Sequence, residues 1–364
     1  MKKGMVIAVI FCLVCTALVW AGPKVAIVKT KNPEVALYGW KVDVLDFTKQ
    51  WEAYWTKAHE EEVEAMVRKA VKLAGGWPVK SGDKVVIKTN LVQDMWYVVS
   101  IGKTPNAEYA NKFIQSMLVN GSVVRAVALL AKESAGPTGK VTIVCGPNAS
   151  NGYAAFDAYG YTKMAKEIGV ELYDVSDGPW KVYRAPKGLA LKTYTLPTKV
   201  VEADVQICMG PMKTHELGGV TLTLKNWGIG IPPGKVYGAI KLGLPHHKIA
   251  YTVTDVHMIS KVDYAIVDGL WGMELHGPTA GEPVEMGLII AGADPVAVDS
   301  VGTMCMGFVP WHYGIIRTCK EYGVGTYDDI EVVGEKIDDV MKMFKPCQKQ
   351  FRAPSAWNLN KGWD

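Results

Sequence analysis

Short apolar runs separated by segments of helical periodicity recur along most of the chain. KVAIVK (24–29), VVIK within 82–91, TIVC within 139–148 and VELYDVS (170–176) read as strands, as do VQICM within 203–211, YAIV within 263–270 and GLIIAG within 285–294. Between the first two, Val63, Met66, Val67, Ala70, Val71 and Ala74 recur at helical spacing, and Gly75-Gly76 supplies the stop. Residues 107–134 predict two helices broken around 120–122, and 160–170 and 247–262 predict one each. Asp294 followed by Pro295 predicts the N-cap and first residue of a helix over 294–307. Residues 31–60 are aromatic and irregular, with Trp40, Trp51 and Trp55.

Apolar strands alternating with helices imply an α/β fold, with a mainly parallel sheet and helices on both faces, as one unit or two lobes. The 364 residues suffice for either. On this reading 1–21 is a leader, 22–310 the α/β domain, and 311–364 a C-terminal helical extension with an irregular tail.

The leader reading rests on MKKGMVIAVIFCLVCTALVWAG, which has two lysines, an apolar stretch and Val19-x-Ala21 before Gly22. This is the anatomy of a secretory signal peptide cleaved after Ala21. It predicts export to a periplasmic or extracellular space, with no membrane contact after cleavage; an uncleaved anchor is the alternative. A net charge of +4 without a long basic run offers nothing for nucleic acid. Beyond the leader remain Cys145, Cys208, Cys305, Cys319 and Cys347, with no CxxC, so no iron–sulfur cluster is expected. Cys145 and Cys208 lie in apolar strands and read as buried thiols. A disulfide from Cys305 to Cys319 or Cys347 would suit an oxidising compartment.

Polar residues gather where the strands end. Lys88 closes one and Thr89 and Asn90 follow it, Gly146-Pro147-Asn148 follow another, and Lys213 and His215 a third. Asp268, Glu274 and His276 follow a fourth, and Asp294 and Asp299 a fifth. Ligands of open parallel sheets bind outside the carboxyl ends of the strands, so this habit predicts one shared pocket.

The stretch GPMKTHELGGVTLTLKNWGIGIPPGK (210–235) extends it. Residues 220–226 alternate as a strand, placing Thr221, Thr223 and Lys225 on one face, and Gly228, Gly230 and Gly234 permit close backbone approach. Lysines beside such a loop suit a carboxylate or phosphate. The spacing is neither a Walker A sequence nor a dinucleotide fingerprint, and no Gly-x-Ser-x-Gly elbow is present. The expected site therefore has Lys213, His215 and Lys225 as anion-holding or proton-transferring groups. Lys88, Asn90, Asn226, Gly228, Gly230, Asp268, Glu274 and Asp299 would line it. A divalent metal on His215, His246 and His276 is an alternative that requires the three to converge. The ligand would be a small anion, handled by acid–base catalysis or simply captured by a non-catalytic binding protein. Twelve tryptophans would fit sugar stacking, or more simply a core.

GDKVVIKTNLV (82–92), VTLTLKNWGIGIPPGK (220–235), YAIVDGLWGMELHGPTAGEP (264–283) and GADPVAVDSVG (292–302) together resemble the domain-of-unknown-function 362 (DUF362) family. The resemblance runs from about Lys24 to Gly307 and implies kinship of fold. It also implies that Lys88, Asn90, Lys213, His215, Lys225, Asn226, Asp268, Gly277, Pro278, Asp294 and Asp299 belong to a shared pattern. Thr89 stands where that family often has proline, and the ferredoxin-like cysteine cluster of many members is absent. A looser similarity is to the nickel-pincer lactate racemase family, through the GDKV-type strand, the Gly-Pro-rich loop and the late Asp-Gly turn.

Overall fold

The computed structural model describes residues 22–42, 53–92, 106–147 and 151–348. The predicted leader, Trp51, Asn148 and the tail after 348 lie outside the described residues.

Nine strands form one sheet: β1 (Lys24–Lys29), β2 (Lys84–Lys88), β3 (Lys140–Cys145), β4 (Glu171–Asp174), β5 (Val205–His215), β6 (Gly219–Thr221), β7 (Tyr264–Glu274), β8 (Glu282–Gly292) and β9 (Glu331–Gly334). Their order is β9-β1-β8-β7-β5-β2-β3-β4, with β6 folded back on β5. Along this path only β8 opposes its neighbours; the remaining pairs are parallel. Two small ribbons, Trp40–Val42 with Ala53–Trp55 and Trp180–Arg184 with Thr193–Pro197, stand apart from it.

The strands read as apolar runs because both faces are covered. Ala26, Val85, Ile87 and Ile143 pack on one face with Val67, Phe113, Val127 and Met164. Those four belong to α1 (Lys57–Ala74), α2 (Ala107–Met117), α3 (Gly121–Ala135) and α4 (Tyr161–Ile168). Val25, Ile27, Val86 and Cys208 pack on the other face with Trp227, Val253, Val298 and Ile316. These come from α5 (Thr223–Gly230), α6 (Ile249–Ile259), α7 (Pro295–Cys305) and α8 (Gly314–Glu321). The expected N-cap holds: Asp294 Oδ1 accepts from Val296 N at 2.8 Å and Ala297 N at 3.0 Å.

The order of strands has one reversal that matters. From β2 the chain adds β3 and β4 in one direction. It then crosses back to lay β5 on the opposite side of β2, with β7 beyond it. The carboxyl ends of β2 and β5 therefore flank a topological switch point, where a crevice opens because successive connections leave toward opposite faces.

Four expectations change. The strand expected to stop near Gly210 runs on through His215, so Lys213 and His215 are strand residues rather than loop residues. Residues 220–226 do not alternate as one strand: β6 ends at Thr221 and α5 begins at Thr223. The cause is tertiary. Asp299, from α7, accepts hydrogen bonds from Thr223 N (2.9 Å), Thr223 Oγ1 (2.5 Å) and Leu224 N (2.9 Å), capping a helix that its own sequence leaves uncapped. Residues after 311 are no mere appendage, since β9 forms the sheet edge beside β1. All five described cysteines are free and buried, which removes the disulfide expected at Cys305.

Asp299 is thus a structural residue in this fold. Replacing it by alanine strips two backbone amides and a hydroxyl of their acceptor, so Asp299→Ala lowers the unfolding free energy by about 2 kcal/mol or more. Urea titration reads this as a lower midpoint at unchanged slope; an unmoved midpoint contradicts the capping role.

Candidate functional site

A cavity of about 40 Å³ lies at the β2/β5 switch point, lined on its polar side by Lys88, Asn90, Lys213, Thr221, Lys225 and Asn226. Gly146, Ile229, Gly230 and Pro278 contribute to the rest of its wall. This is room for two or three waters or a small ion, and far too little for a nucleotide.

Each polar group arrives by a separate route. Lys88 ends β2, in register with Val144 of β3 and Cys208 of β5. Its ammonium donates to the Thr89 carbonyl and, at 3.2 Å, to Asn226 Oδ1. Gly230 leaves it space, because a Cβ there would stand 2.8 Å from Lys88 Cε. Lys213 faces Thr221 across the β5/β6 hairpin. Its ammonium reaches the Met117 carbonyl at the end of α2 (2.5 Å) and Asn90 Oδ1 (3.4 Å). Lys225 extends from the first turn of α5 past Gly218, where a Cβ would lie 3.4 Å from its Cδ.

Asn226 ties these routes together. Its Oδ1 accepts from Asn90 Nδ2 at 2.8 Å as well as from Lys88, while its Nδ2 donates to the Met209 carbonyl at 2.6 Å. Both ends of the amide are spent on protein, so Asn226 positions its neighbours rather than offering itself to a ligand.

The electrostatics are one-sided. No carboxylate is among the described residues lining the cavity. Burial drives the Lys213 amine well below the ordinary lysine range, and the nearby charges of Lys225 and Lys88 push the same way. Lys88 is lowered chiefly by burial. Burial takes Lys225 down to about 8, with the charge of Glu216 opposing and that of Lys88 adding to it. Among the described residues, two polar groups of the cavity wall have no partner. The Thr221 hydroxyl is buried and makes no hydrogen bond, and among the described residues no hydrogen bond or ion pair engages the Lys225 ammonium.

His215 lies beside this group, buried, with Nδ1 accepting from Leu217 N (3.0 Å) and Gly218 N (3.3 Å). An accepting Nδ1 leaves the proton on Nε2. Burial, then Lys225, Lys213 and His246, holds the ring neutral.

Other expected site residues are employed elsewhere. Asp268 accepts from Asn120 N (2.7 Å) and Leu270 N (3.0 Å), and burial raises it to about 6. Glu274 holds the C-terminal segment through Lys345 N and Lys345 Nζ, both at 2.9 Å. Gly228 packs against α6, where a Cβ would meet Val253 Cα at 2.7 Å. Among the described residues no three His, Cys, Asp or Glu side chains gather as a metal site would require. His276 stands near Cys347 (3.7 Å) and His246 turns Nδ1 to the Leu244 carbonyl (3.0 Å), so the convergence required of His215, His246 and His276 does not occur.

Two members escaped the sequence reading. Thr221 was noted only for strand alternation. Lys241 sits in a run, Ile240-Lys241-Leu242, whose pattern suggests an exposed lysine, yet it is fully buried. Its ammonium donates to the carbonyls of Ile229 (2.8 Å), Gly230 (3.0 Å) and Gly146 (3.1 Å).

Residues 104–304, more than half of the chain, match the family described as Domain of unknown function (DUF362), and the chain belongs to that family. The matched span includes Lys213, Thr221, Lys225, Asn226 and Lys241 and excludes Lys88 and Asn90. A thylakoid-associated protein of Synechocystis sp., sll1697, is 26% identical over 227 residues, 62% of this chain and 63% of that protein. The lactate racemase apoprotein from Thermoanaerobacterium thermosaccharolyticum is similar in structure over 64% of this chain and 52% of that one, with 11% identity and a TM-score of 0.31. The chain thus spans less than two thirds of either relative.

The different duties of two adjacent residues are separable. Asn226→Leu leaves Asn90, Lys88 and the Met209 carbonyl short of partners and costs about 2–4 kcal/mol of stability. Lys225→Met removes a desolvated charge that makes no hydrogen bond or ion pair among the described residues, so its melting temperature equals or exceeds that of the unmodified protein. A large loss at Lys225 would instead make it a structural residue.

Proposed function

We propose that this protein binds a small anion, of carboxylate or phosphate type, between Lys225, Thr221 and the amines of Lys213 and Lys88. The observation that carries the reading is Thr221, 2% exposed, whose hydroxyl has no partner among the described residues and which lines a cavity with three lysines and, among the described residues, no carboxylate. A buried hydroxyl without a partner costs roughly 1–3 kcal/mol, and a desolvated ammonium costs more. One anion relieves both.

Binding should carry a proton with it. An anion beside Lys225 favours the charged amine, raising a pKa that is about 8 in the empty cavity. Lys213 is held toward its neutral form, so it is available to exchange a proton with a ligand whose charge Lys225 holds. Acid–base chemistry on a small carboxylate or phosphate compound is the reaction class this supports; metal assistance draws no support from the scattered histidines. The leader-like pattern of 1–21 favours an extracytoplasmic setting.

The sign with pH follows from linkage. The empty-site pKa of Lys225 lies below its unfolded value, so between about 8 and about 10.4 the unfolded chain binds more protons. Stability of the empty protein therefore rises with pH across that window. Anion affinity moves oppositely, falling about tenfold per pH unit once Lys225 loses its proton.

Titration calorimetry with oxalate and with phosphate, in buffers of different ionisation enthalpy from pH 7 to 10, tests the proposal. The expected result is binding with proton uptake above about pH 8 and a loss of at least ~100-fold in Lys225→Met. Absence of binding by either anion, or undiminished binding by Lys225→Met, overturns it.

A further inference from the structure

We infer that the Lys241 side chain sets the back wall of the anion cavity, making it a positioning residue for that site. The inference rests on the anion-site reading above.

The wall in question is formed where the end of β3 meets the end of α5. Gly146 and Gly230 both line the cavity, and they approach so closely that a Cβ on Gly146 would lie 2.0 Å from the Gly230 carbonyl oxygen. Such an approach brings carbonyl oxygens together and leaves the carbonyls at the end of α5 without helical partners. The Lys241 ammonium occupies this junction, donating to the carbonyls of Gly146, Ile229 and Gly230. Burial and the charge of Lys88 press this group toward its neutral form, whereas three acceptors within 3.1 Å call for the three N–H donors that only the ammonium has.

The segment that delivers this ammonium is built against ordinary preference. Ile240 is 48% exposed and Leu242 is 71% exposed, while the lysine between them is 0% exposed. Ile240 and Lys241 both adopt positive φ, 46° and 56°. Such backbone costs of order 1 kcal/mol or more per residue and persists only when the surroundings impose it. Burial of apolar side chains does not impose it here, since the flanking ones face outward. The bonds made by the ammonium do, helped by the turn bonds from Lys241 N to Gly238 O (2.9 Å) and Leu244 N to Lys241 O (2.9 Å). The junction consequently stands or falls with one side chain, although that side chain is not itself among the residues lining the cavity.

Chemical rescue tests this. In Lys241→Ala, n-propylammonium replaces the atoms removed. Hydrogen exchange of peptides covering 143–147 and 227–231 and phosphate affinity are measured with and without it, in variant and unmodified protein. The expected result is at least tenfold faster exchange confined to those peptides and at least tenfold weaker phosphate binding in the variant. Propylammonium restores both and leaves the unmodified protein unchanged. Unaltered exchange and affinity overturn the inference, as does a general rise in exchange that propylammonium fails to reverse. Should Lys241→Ala not fold, Lys241→Arg and Lys241→Met decide: local protection kept by arginine and lost by methionine supports the role, and equal protection in both refutes it. If the unmodified protein binds no phosphate, the anion reading fails, and the exchange and rescue still decide whether Lys241 holds the wall.

Discussion

A single carboxamide, that of Asn226, joins the two strand ends between which the site opens. Its oxygen serves Lys88 and Asn90 from the β2 side and its nitrogen serves the Met209 carbonyl of β5. A parallel sheet leaves carbonyls and side chains unmatched where neighbouring connections diverge, and the divergence is greatest at a switch point. Asn226 meets that need from α5, and Asp299 of α7 fixes where α5 begins. Asn90, once placed, receives the Lys213 ammonium. The lysines are therefore arranged by amides and carbonyls, and the arrangement precedes any ligand.

That choice of partners governs the chemistry. Buried lysines are most often matched by carboxylates, which cancel their charge. Here Lys88, Lys213 and Lys241 rest on backbone carbonyls and asparagine oxygens. Such partners orient an amine without neutralising it. Burial then works against the charged forms, and the crowding of like charges deepens the effect at Lys213. The result is a small space lined by lysine, asparagine and threonine side chains, with no carboxylate among its described lining residues. Several carboxylates of the same sheet edge are engaged elsewhere: Asp268, Asp294 and Asp299 accept backbone amides, and Glu274 secures the C-terminal segment, while Glu216 acts on Lys225 through its charge.

Much of this was legible in the order of residues. Alternating apolar runs and helical periodicities identified the sheet and its covering helices, because burial on both faces demands continuous apolar strands. Lys88, Asn90, Lys213, Lys225 and Asn226, which cluster after those runs, do line one cavity in the fold, since the carboxyl edge of a parallel sheet collects them. The family motif resemblance pointed to the same residues, and the matched span 104–304 contains three of the five. Asp294 and Pro295 announced their helix by local chemistry alone.

What the sequence could not disclose depends on partners distant along the chain. Residues 220–226 have the alternation of a strand, and only the carboxylate of Asp299, 76 residues from Thr223, turns their second half into a helix. Nothing in the local pattern singles out Lys241, yet three carbonyls, of Gly146, Ile229 and Gly230, hold its side chain inside. His215, His246 and His276 carry metal-binding chemistry, but among the described residues the fold does not gather the three into one group. Residue type and periodicity determined the layers and the edge at which the polar groups collect. Tertiary structure decided which of those groups already had a partner, because a hydrogen bond is satisfied by proximity in space, and that bookkeeping alone separates the residues that build the cavity from those left facing into it.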